Sequence, residues 1–384
     1  MISKVAISGY RSLRDIVLPL GQLTVVTGAN GTGKSNIYRA LRLVADIADD
    51  RIIASLAKEG GFQSVQWAGP EHISRDMRAG HVPIQGTRRK GPIALKLGLT
   101  LDALSYSIEI GLGMSGGESL FGLDPAIKRE AIWSGDKPTP SKLIATRTGP
   151  SAKTLSNEGG LHQARTDLSP YDSLLRHITG EAAPWQIAEL RATLSQWQFY
   201  DHVRADADAP ARRQHIGTRT ARLSPDGHDL AAALQTIIEV GDHEALANAV
   251  DTAFPGARLE VQSVNGLFQV LMYQHGMLRP MEAAELSDGT LRFLILACAL
   301  LTPRPPPLMV LNEPEASLNG ALIPALASLI TRASLDCQII VVSHNRALVS
   351  TLINDEAELV ELSKEFGETF AHVGDTPSWT WPKR

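Results

Sequence analysis

Cysteine is nearly absent. Only Cys298 and Cys337 occur in 384 residues, and both sit in apolar runs, Leu-Ala-Cys-Ala-Leu and Cys-Gln-Ile-Ile-Val-Val. A disulfide framework or a cysteine metal site is therefore not expected, and both thiols read as core residues. No excess of one charge sign is present either. The net charge of -4 and pI near 6.3 argue against a globally basic nucleic-acid binder, although a local basic groove remains open. Long apolar runs are missing: none approaches the roughly 18 residues that would span a bilayer. The N-terminus lacks a basic segment followed by an apolar stretch, so no secretory signal is expected, and a cytoplasmic location is the default. There is no internal repeat and no sustained heptad pattern, which excludes a long coiled coil. Hydrophobic residues make up 43% and charged residues 20%, enough to bury a sizeable core as one large domain or two to three small ones.

The chain divides by pattern. Residues 1–48 read as three strands (Val5-Ala6-Ile7, Ile16-Val17-Leu18 and Leu23-Thr24-Val25-Val26-Thr27), a loop and a helix from about Ser35. Residues 93–110 alternate with period two, predicting a half-buried antiparallel hairpin around Asp102-Ala103. Residues 111–118 and 134–160 are rich in Gly, Ser, Thr and Pro and read as loops. From 168 to 255 the pattern turns helical, with Trp185, Ala188, Leu194 and Trp197 near helical spacing. Within it lies an arginine-rich connector, Arg204, Arg212, Arg213, Arg219 and Arg222, read as intramolecular salt bridges with a nucleic-acid contact as the alternative. Arg88-Arg89-Lys90 reads as a solvated basic loop. Asn265-Gly266 signals a type I′ hairpin. From 286 onward helices alternate with buried strands (Leu308–Leu311, Ile339–Val342), which implies a parallel sheet. We expect three segments: an N-terminal lobe 1–167 with an antiparallel β subdomain, a helical and Arg-rich insert 168–223, and a C-terminal α/β lobe 224–384.

The most specific motif is Gly28-Ala29-Asn30-Gly31-Thr32-Gly33-Lys34-Ser35, a complete G-x-x-x-x-G-K-S phosphate loop. Its glycines let backbone N–H groups face a β-phosphate. Lys34 offers a point charge to the β- and γ-phosphates, and Ser35 a hydroxyl to Mg²⁺. The cofactors expected are thus ATP and Mg²⁺. A buried strand then delivers Asn312 and Glu313. Glu313 is the candidate base for the attacking water, whereas Asn312 reads as a weak, uncharged metal partner. Leu286-Ser287-Asp288-Gly289-Thr290 precedes a helix and reads either as a cap or as a second phosphate-binding surface serving another subunit's ATP. His344 ends a buried strand, the sheet edge where ligand sites of α/β folds lie, and reads as a second catalytic candidate.

Order and wording together resemble the ABC-type ATPase head of the SMC/RecF-like branch, the stand-alone AAA-family ATPases. The carrying pieces are Gly9-Tyr10-Arg11-Ser12-Leu13, the phosphate loop with Asn36, Leu286 through Phe293, Asn312-Glu313-Pro314-Glu315-Ala316-Ser317-Leu318, and Ser343-His344. The resemblance implies an α/β P-loop NTPase fold with an antiparallel β lobe and a helical insert. It implies two ATPs sandwiched in a homodimer, with Ser287 and Gly289 acting in trans. It places Arg11 and Asn36 near the nucleotide, and Ser317 to Asn319 across the dimer. The pattern departs from the family at Asn312, where an acid is usual, and at Asn319-Gly320. The glutamine of the Q-loop has only Gln63 and Gln66 as candidates.

The leading function is an ATP-driven dimerising switch in DNA maintenance or anti-phage defence, acting on DNA or licensing a partner effector. The alternative is a slow or non-hydrolysing scaffold that regulates an effector such as a nuclease. A transporter's nucleotide-binding subunit fits less well, because its phosphate loop and signature helix lie closer together. No membrane association is expected. About 40 residues follow His344, too few for a fused nuclease domain.

Overall fold

The computed structural model describes residues 1–383 apart from 72, 84–93, 114–119, 157–158, 182 and 202. The basic run Arg88-Arg89-Lys90 and most of the expected loop 111–118 lie outside the described residues.

The described chain forms two compact units. The first combines residues 1–21, 28–196 and 360–384, and the second residues 22–27 and 197–359. These units cut the chain elsewhere than at 167 and 223. Helix Trp185–Ser195 belongs to the first unit, where Ser195 Oγ donates to Asp49 Oδ1 (2.7 Å) at the end of helix Lys34–Ala48. The arginine connector belongs to the second.

In the first unit eight strands pair antiparallel in the order Leu13–Pro19, Ile2–Tyr10, Leu95–Leu101, Leu104–Leu112, Pro125–Ser134, Leu143–Thr148, Ser151–Leu155, Leu161–Arg165. The expected hairpin forms with Leu101 opposite Leu104 and Asp102 at φ 49°. Its first strand is not half-buried. Gly98 and Thr100 are covered as well: Trp379 packs on Gly98 so closely that a Cβ there would sit 2.2 Å from the indole, and Thr100 Oγ1 lies 3.0 Å from Ser105 Oγ. Two strands also stand in 134–160, where composition reads as loop, although residues 127–147 continue the period-two style of the hairpin in the sequence. The reason is Arg147, a buried arginine at a core position. Its guanidinium donates to Gly149 O (2.8 Å), to Ser169 O (2.6 Å) and to Asp172 O, and lies 3.4 Å from the buried Glu130 carboxylate. Polar residues that find partners inside the sheet hide the period-two signal. Helix Trp185–Ser195 buries Ile187, Leu190 and Leu194, not Trp185, which is exposed.

In the second unit strands Gln198–Tyr200, Leu308–Asn312, Gln338–Val342 and Leu23–Gly28 run parallel in that order, all nearly continuous apolar runs as a sheet covered on both faces requires. Helices Asp288–Leu300, Ile323–Ala333 and Arg346–Asn354 bury Phe293, Leu326 and Leu352 among others in the same unit. Strands Arg258–Val264 and Leu267–Tyr273 form the expected hairpin. Asn265 and Gly266 stand at φ 54° and 79°, the two left-handed positions a type I′ turn needs. Cys298 and Cys337 are buried and unbridged, and burial pushes the Cys337 thiol up to about 12.

Candidate functional site

The chain leaves the parallel sheet at Gly28, makes the loop, and enters helix Lys34–Ala48 through Gly33, which caps it at φ 108°, ψ 10°. No side chain caps this helix and no acid stands in its first turn, so neither offsets its positive end. Lys34 Nζ folds into the loop and donates to Gly28 O (2.7 Å) and Ala29 O (3.1 Å). Asn30, Gly31 and Ser35 are exposed, while Thr32 is buried with its hydroxyl on Ala29 O (2.9 Å).

A relay behind the loop has no counterpart in sequence reasoning. Asn36 Nδ2 donates to Ser12 Oγ (2.8 Å), Ser12 Oγ lies 2.7 Å from Thr369 Oγ1, and Thr369 Oγ1 donates to Thr32 O (2.6 Å). The Thr369 proton is committed to the loop carbonyl, so the Ser12 hydroxyl is the donor in the middle link. Gly33 lies against this relay: a Cβ there would sit 2.3 Å from Thr369 Oγ1 and 2.8 Å from Ser12 Oγ. Ser12 belongs to a quoted motif, but Thr369, in strand Glu368–His372, carries no sequence signal. Asn36, expected near the nucleotide, thus has its amide on Ser12.

Arg11 stands at φ 48° at the turn between the first two strands. Its guanidinium binds Glu59 Oε2 through Nη2 (2.7 Å) and Nε (3.2 Å), and Tyr10 Oη donates to the same carboxylate (2.7 and 2.9 Å). Burial and then the Glu59 bond push the Tyr10 phenol up. Of the two glutamine candidates, Gln66 pairs backbone to backbone with Tyr10 beside Arg11, and Gln63 is exposed on a short helix.

In the second unit the parallel register sets the second group of residues. Leu311 pairs with Tyr200 on one side and with Val341 on the other, so the strand ends bring Asp201, Asn312-Glu313 and Ser343-His344 onto one edge. Glu313 stands at φ 47°, a left-handed conformation rare for a residue with a side chain. It is held there by its N–H on Val342 O (2.8 Å) and by Arg292 Nη2 on its carbonyl (3.0 Å). His344 Nδ1 lies 3.3 Å from Glu313 Oε1, so the two predicted catalytic side chains meet. Glu315, buried, accepts from Ser343 Oγ at 2.6 Å. Asn312 Nδ2 donates to Asp201 Oδ1 (2.8 Å), and Asn312 Oδ1 is buried with no partner among the described residues. Arg292, on the helix that starts at Asp288, also donates to Val203 O (2.9 Å). Burial lowers its pKa against the opposing fields of Glu315, Asp201 and Glu313. Sequence reasoning gave Asp201 only as a counter-charge for the connector's arginines, and gave Arg292 and Glu315 no role beyond their place in the quoted motifs. A charged residue within an apolar helix pattern, as Arg292 is, was the available signal.

Ser287 caps helix Asp288–Leu300: Thr290 N–H donates to its Oγ (3.1 Å). Gly289 sits where a Cβ would lie 2.9 Å from Ser317 O. The connector's arginines have partners within the chain. Arg212 donates to the carbonyls of Ala283 and Leu286 (3.1 and 2.7 Å) and to Asp288 Oδ1 (2.7 Å), Arg204 pairs with Asp206 (2.6 Å), and Arg222 donates to Arg304 O (2.8 Å). The intramolecular reading of this segment holds.

The residues present fit ATP and Mg²⁺. The uncapped helix end suits phosphate. The buried, unpartnered Asn312 Oδ1 suits a donor such as a metal-bound water. No cluster of three or more His, Cys, Asp or Glu able to hold a metal occurs among the described residues.

A family model described as "AAA domain, putative AbiEii toxin, Type IV TA system" matches residues 23–350. The chain belongs to this AAA-domain family. It is an ATPase-type P-loop protein, and the SMC/RecF-like resemblance of its motifs stands. The SMC head bound to the C-winged helix domain of ScpA superposes with a TM-score of 0.54 at 14% identity, over 97% of each chain. The SMC head with a coiled coil and joint from Pyrococcus yayanosii gives 0.50 at 12% identity, over 97% of this chain and 96% of that one. Identities this low show the fold alone, that of P-loop ATPase heads. The OLD nuclease of Thermus scotoductus is 48% identical over 44 residues, 12% of this chain and 8% of that protein. The match therefore spans less than a tenth of that relative's length. Among the described residues no helix is long and apolar enough to cross a membrane.

Proposed function

We propose that this chain is an ATP-hydrolysing switch that closes into a homodimer around two ATP molecules. The observation that carries the reading is the phosphate loop: a left-handed glycine opens a helix whose first turn has neither a side-chain cap nor an acid, and Lys34 sits inside the loop. Lys34 would neutralise the β/γ-phosphates, while Ser35 and Asn312 would hold the metal ion and its waters. Bound Mg²⁺ would spread the charge that develops on the phosphate oxygens. Glu313 would take the proton of the attacking water, and His344, 3.3 Å away, would orient that carboxylate. Ser287 and Gly289 would face the partner copy's ATP, with Arg11 near the nucleotide. ATP binding would favour the closed dimer and hydrolysis would release it.

The name of the OLD nuclease supports a role linked to nucleic acid, in DNA maintenance or anti-phage defence. An SMC head bound to ScpA supports a protein partner. The test is light scattering on Glu313→Gln, whose amide keeps the shape of the base but accepts no proton. ATP should double its mass relative to the nucleotide-free protein. An unchanged mass with ATP demonstrably bound overturns the dimer reading.

A further inference from the structure

Resting on the ATP and Mg²⁺ reading above, we propose that Asp201 supplies from the neighbouring strand the negative charge that Asn312 lacks, so that the two residues act as one acidic end of the metal site. Three observations lead there. Tyr200 and Leu311 are paired in the parallel ladder, so the next residues, Asp201 and Asn312, leave the sheet side by side. Asn312 Nδ2 donates to Asp201 Oδ1 at 2.8 Å, which fixes the amide: the flipped orientation would set a carbonyl oxygen against a carboxylate oxygen. Asn312 Oδ1 is thereby turned away from Asp201 and left buried without a partner among the described residues.

An unpaired buried acceptor is costly, so the arrangement stands to gain from a donor that is not part of the folded chain. Water bound to a divalent cation is such a donor. A carboxylate that accepts from one end of an amide polarises it and strengthens the oxygen at the other end. Asp201 therefore acts through Asn312, as a positioning residue rather than a direct ligand. The Arg292 guanidinium lies in the field of Glu315, Asp201 and Glu313, which places these acids around the same strand ends.

The experiment compares wild type, Asp201→Asn, Asn312→Asp and the exchange Asp201→Asn/Asn312→Asp. The readouts are Mn²⁺ affinity in the presence of a non-hydrolysable ATP analogue, measured by electron paramagnetic resonance, and thermal unfolding. Asp201→Asn should weaken Mn²⁺ binding roughly 10- to 100-fold, the usual effect of losing a residue that supports a metal ligand, with metal-free nucleotide affinity unchanged. Asn312→Asp sets two carboxylates face to face and should lower the unfolding temperature. The exchange keeps one acid and one amide and should bring both readouts back toward wild type. It also carries the test if Asp201→Asn does not fold. Wild-type Mn²⁺ affinity in Asp201→Asn, or an exchange variant that folds and binds nucleotide but holds Mn²⁺ no better than Asp201→Asn, overturns the inference alone. A wild-type protein whose nucleotide binding ignores the metal overturns the Mg²⁺ reading and this inference together.

Discussion

Thr369 Oγ1 donates to Thr32 O at 2.6 Å, so a residue 337 positions downstream fixes the backbone of the phosphate loop. Its hydroxyl also lies 2.7 Å from Ser12 Oγ, which in turn accepts from Asn36. A loop that must present N–H groups to phosphate keeps its shape only if its own carbonyls are held, and this relay holds one of them.

Thr369→Val keeps the volume and removes the relay, leaving the Thr32 carbonyl and the Ser12 hydroxyl short of a partner. We expect a stability loss of about 1–3 kcal/mol. ATP affinity should weaken by about tenfold, the factor that corresponds to 1.4 kcal/mol. Denaturant unfolding and isothermal titration measure the two effects. Wild-type affinity in a destabilised protein would show that the relay serves the fold and not the loop.

Lys34→Ala removes the cation that sits on the Gly28 and Ala29 carbonyls. Losing charge-assisted bonds to phosphate costs about 3 kcal/mol, so ATP affinity should fall by roughly a hundredfold with the fold retained. Titration of the folded variant decides, and undiminished binding would remove the phosphate loop from the nucleotide site.

Ser287→Arg in the Glu313→Gln background should prevent ATP-dependent mass doubling by crowding the partner's phosphate. Ser287 also caps its helix, so the change costs a cap worth about 1 kcal/mol. Ser287→Ala loses the cap and the hydroxyl offered to the partner's phosphate but adds no bulk, so it should still dimerise, though more weakly. Light scattering of both measures the two effects. If Ser287→Arg folds and dimerises with ATP like the parent, the trans role of Ser287 is wrong.

The approach to that helix predicts a pH dependence. Glu285 accepts from Arg279 (2.6 and 2.7 Å) and from the Glu282 N–H (3.0 Å), and these bonds, Arg279 first, hold its carboxyl at about 2, below its ordinary 4.5. A depressed carboxyl contributes stability that is present above its unfolded value and lost as pH falls through the folded one. The acid limb of the stability curve should therefore flatten between about pH 4.5 and 2 in Glu285→Gln. Unfolding midpoints measured across that range check it, and superimposable wild-type and variant curves would contradict the pairing.

The phosphate loop, the Asn312-Glu313 strand end, the Ser287 helix start and His344 are all legible in the sequence. Each is a short motif whose chemistry is carried by residues a few positions apart. The type I′ turn at Asn265-Gly266 and the Leu95-to-Ile110 hairpin are legible for the same reason, since local sterics and period two decide them. Strand Leu143–Thr148 was legible only in part and Ser151–Leu155 not at all, because Arg147 and Glu130 find partners inside the fold and blur the apolar pattern. Nor could any local signal show Thr369 bracing Thr32, or Asp201 holding Asn312. Those pairs are separated by 337 and 111 residues and exist only once strand register is set. Sequence alone thus determined which motifs the chain carries, since a phosphate loop and a strand-end acid are spelled by particular groups at fixed local spacing. Tertiary structure alone decided which other residues hold those groups in place, because hydrogen-bond partners across a fold are chosen by topology and not by proximity along the chain.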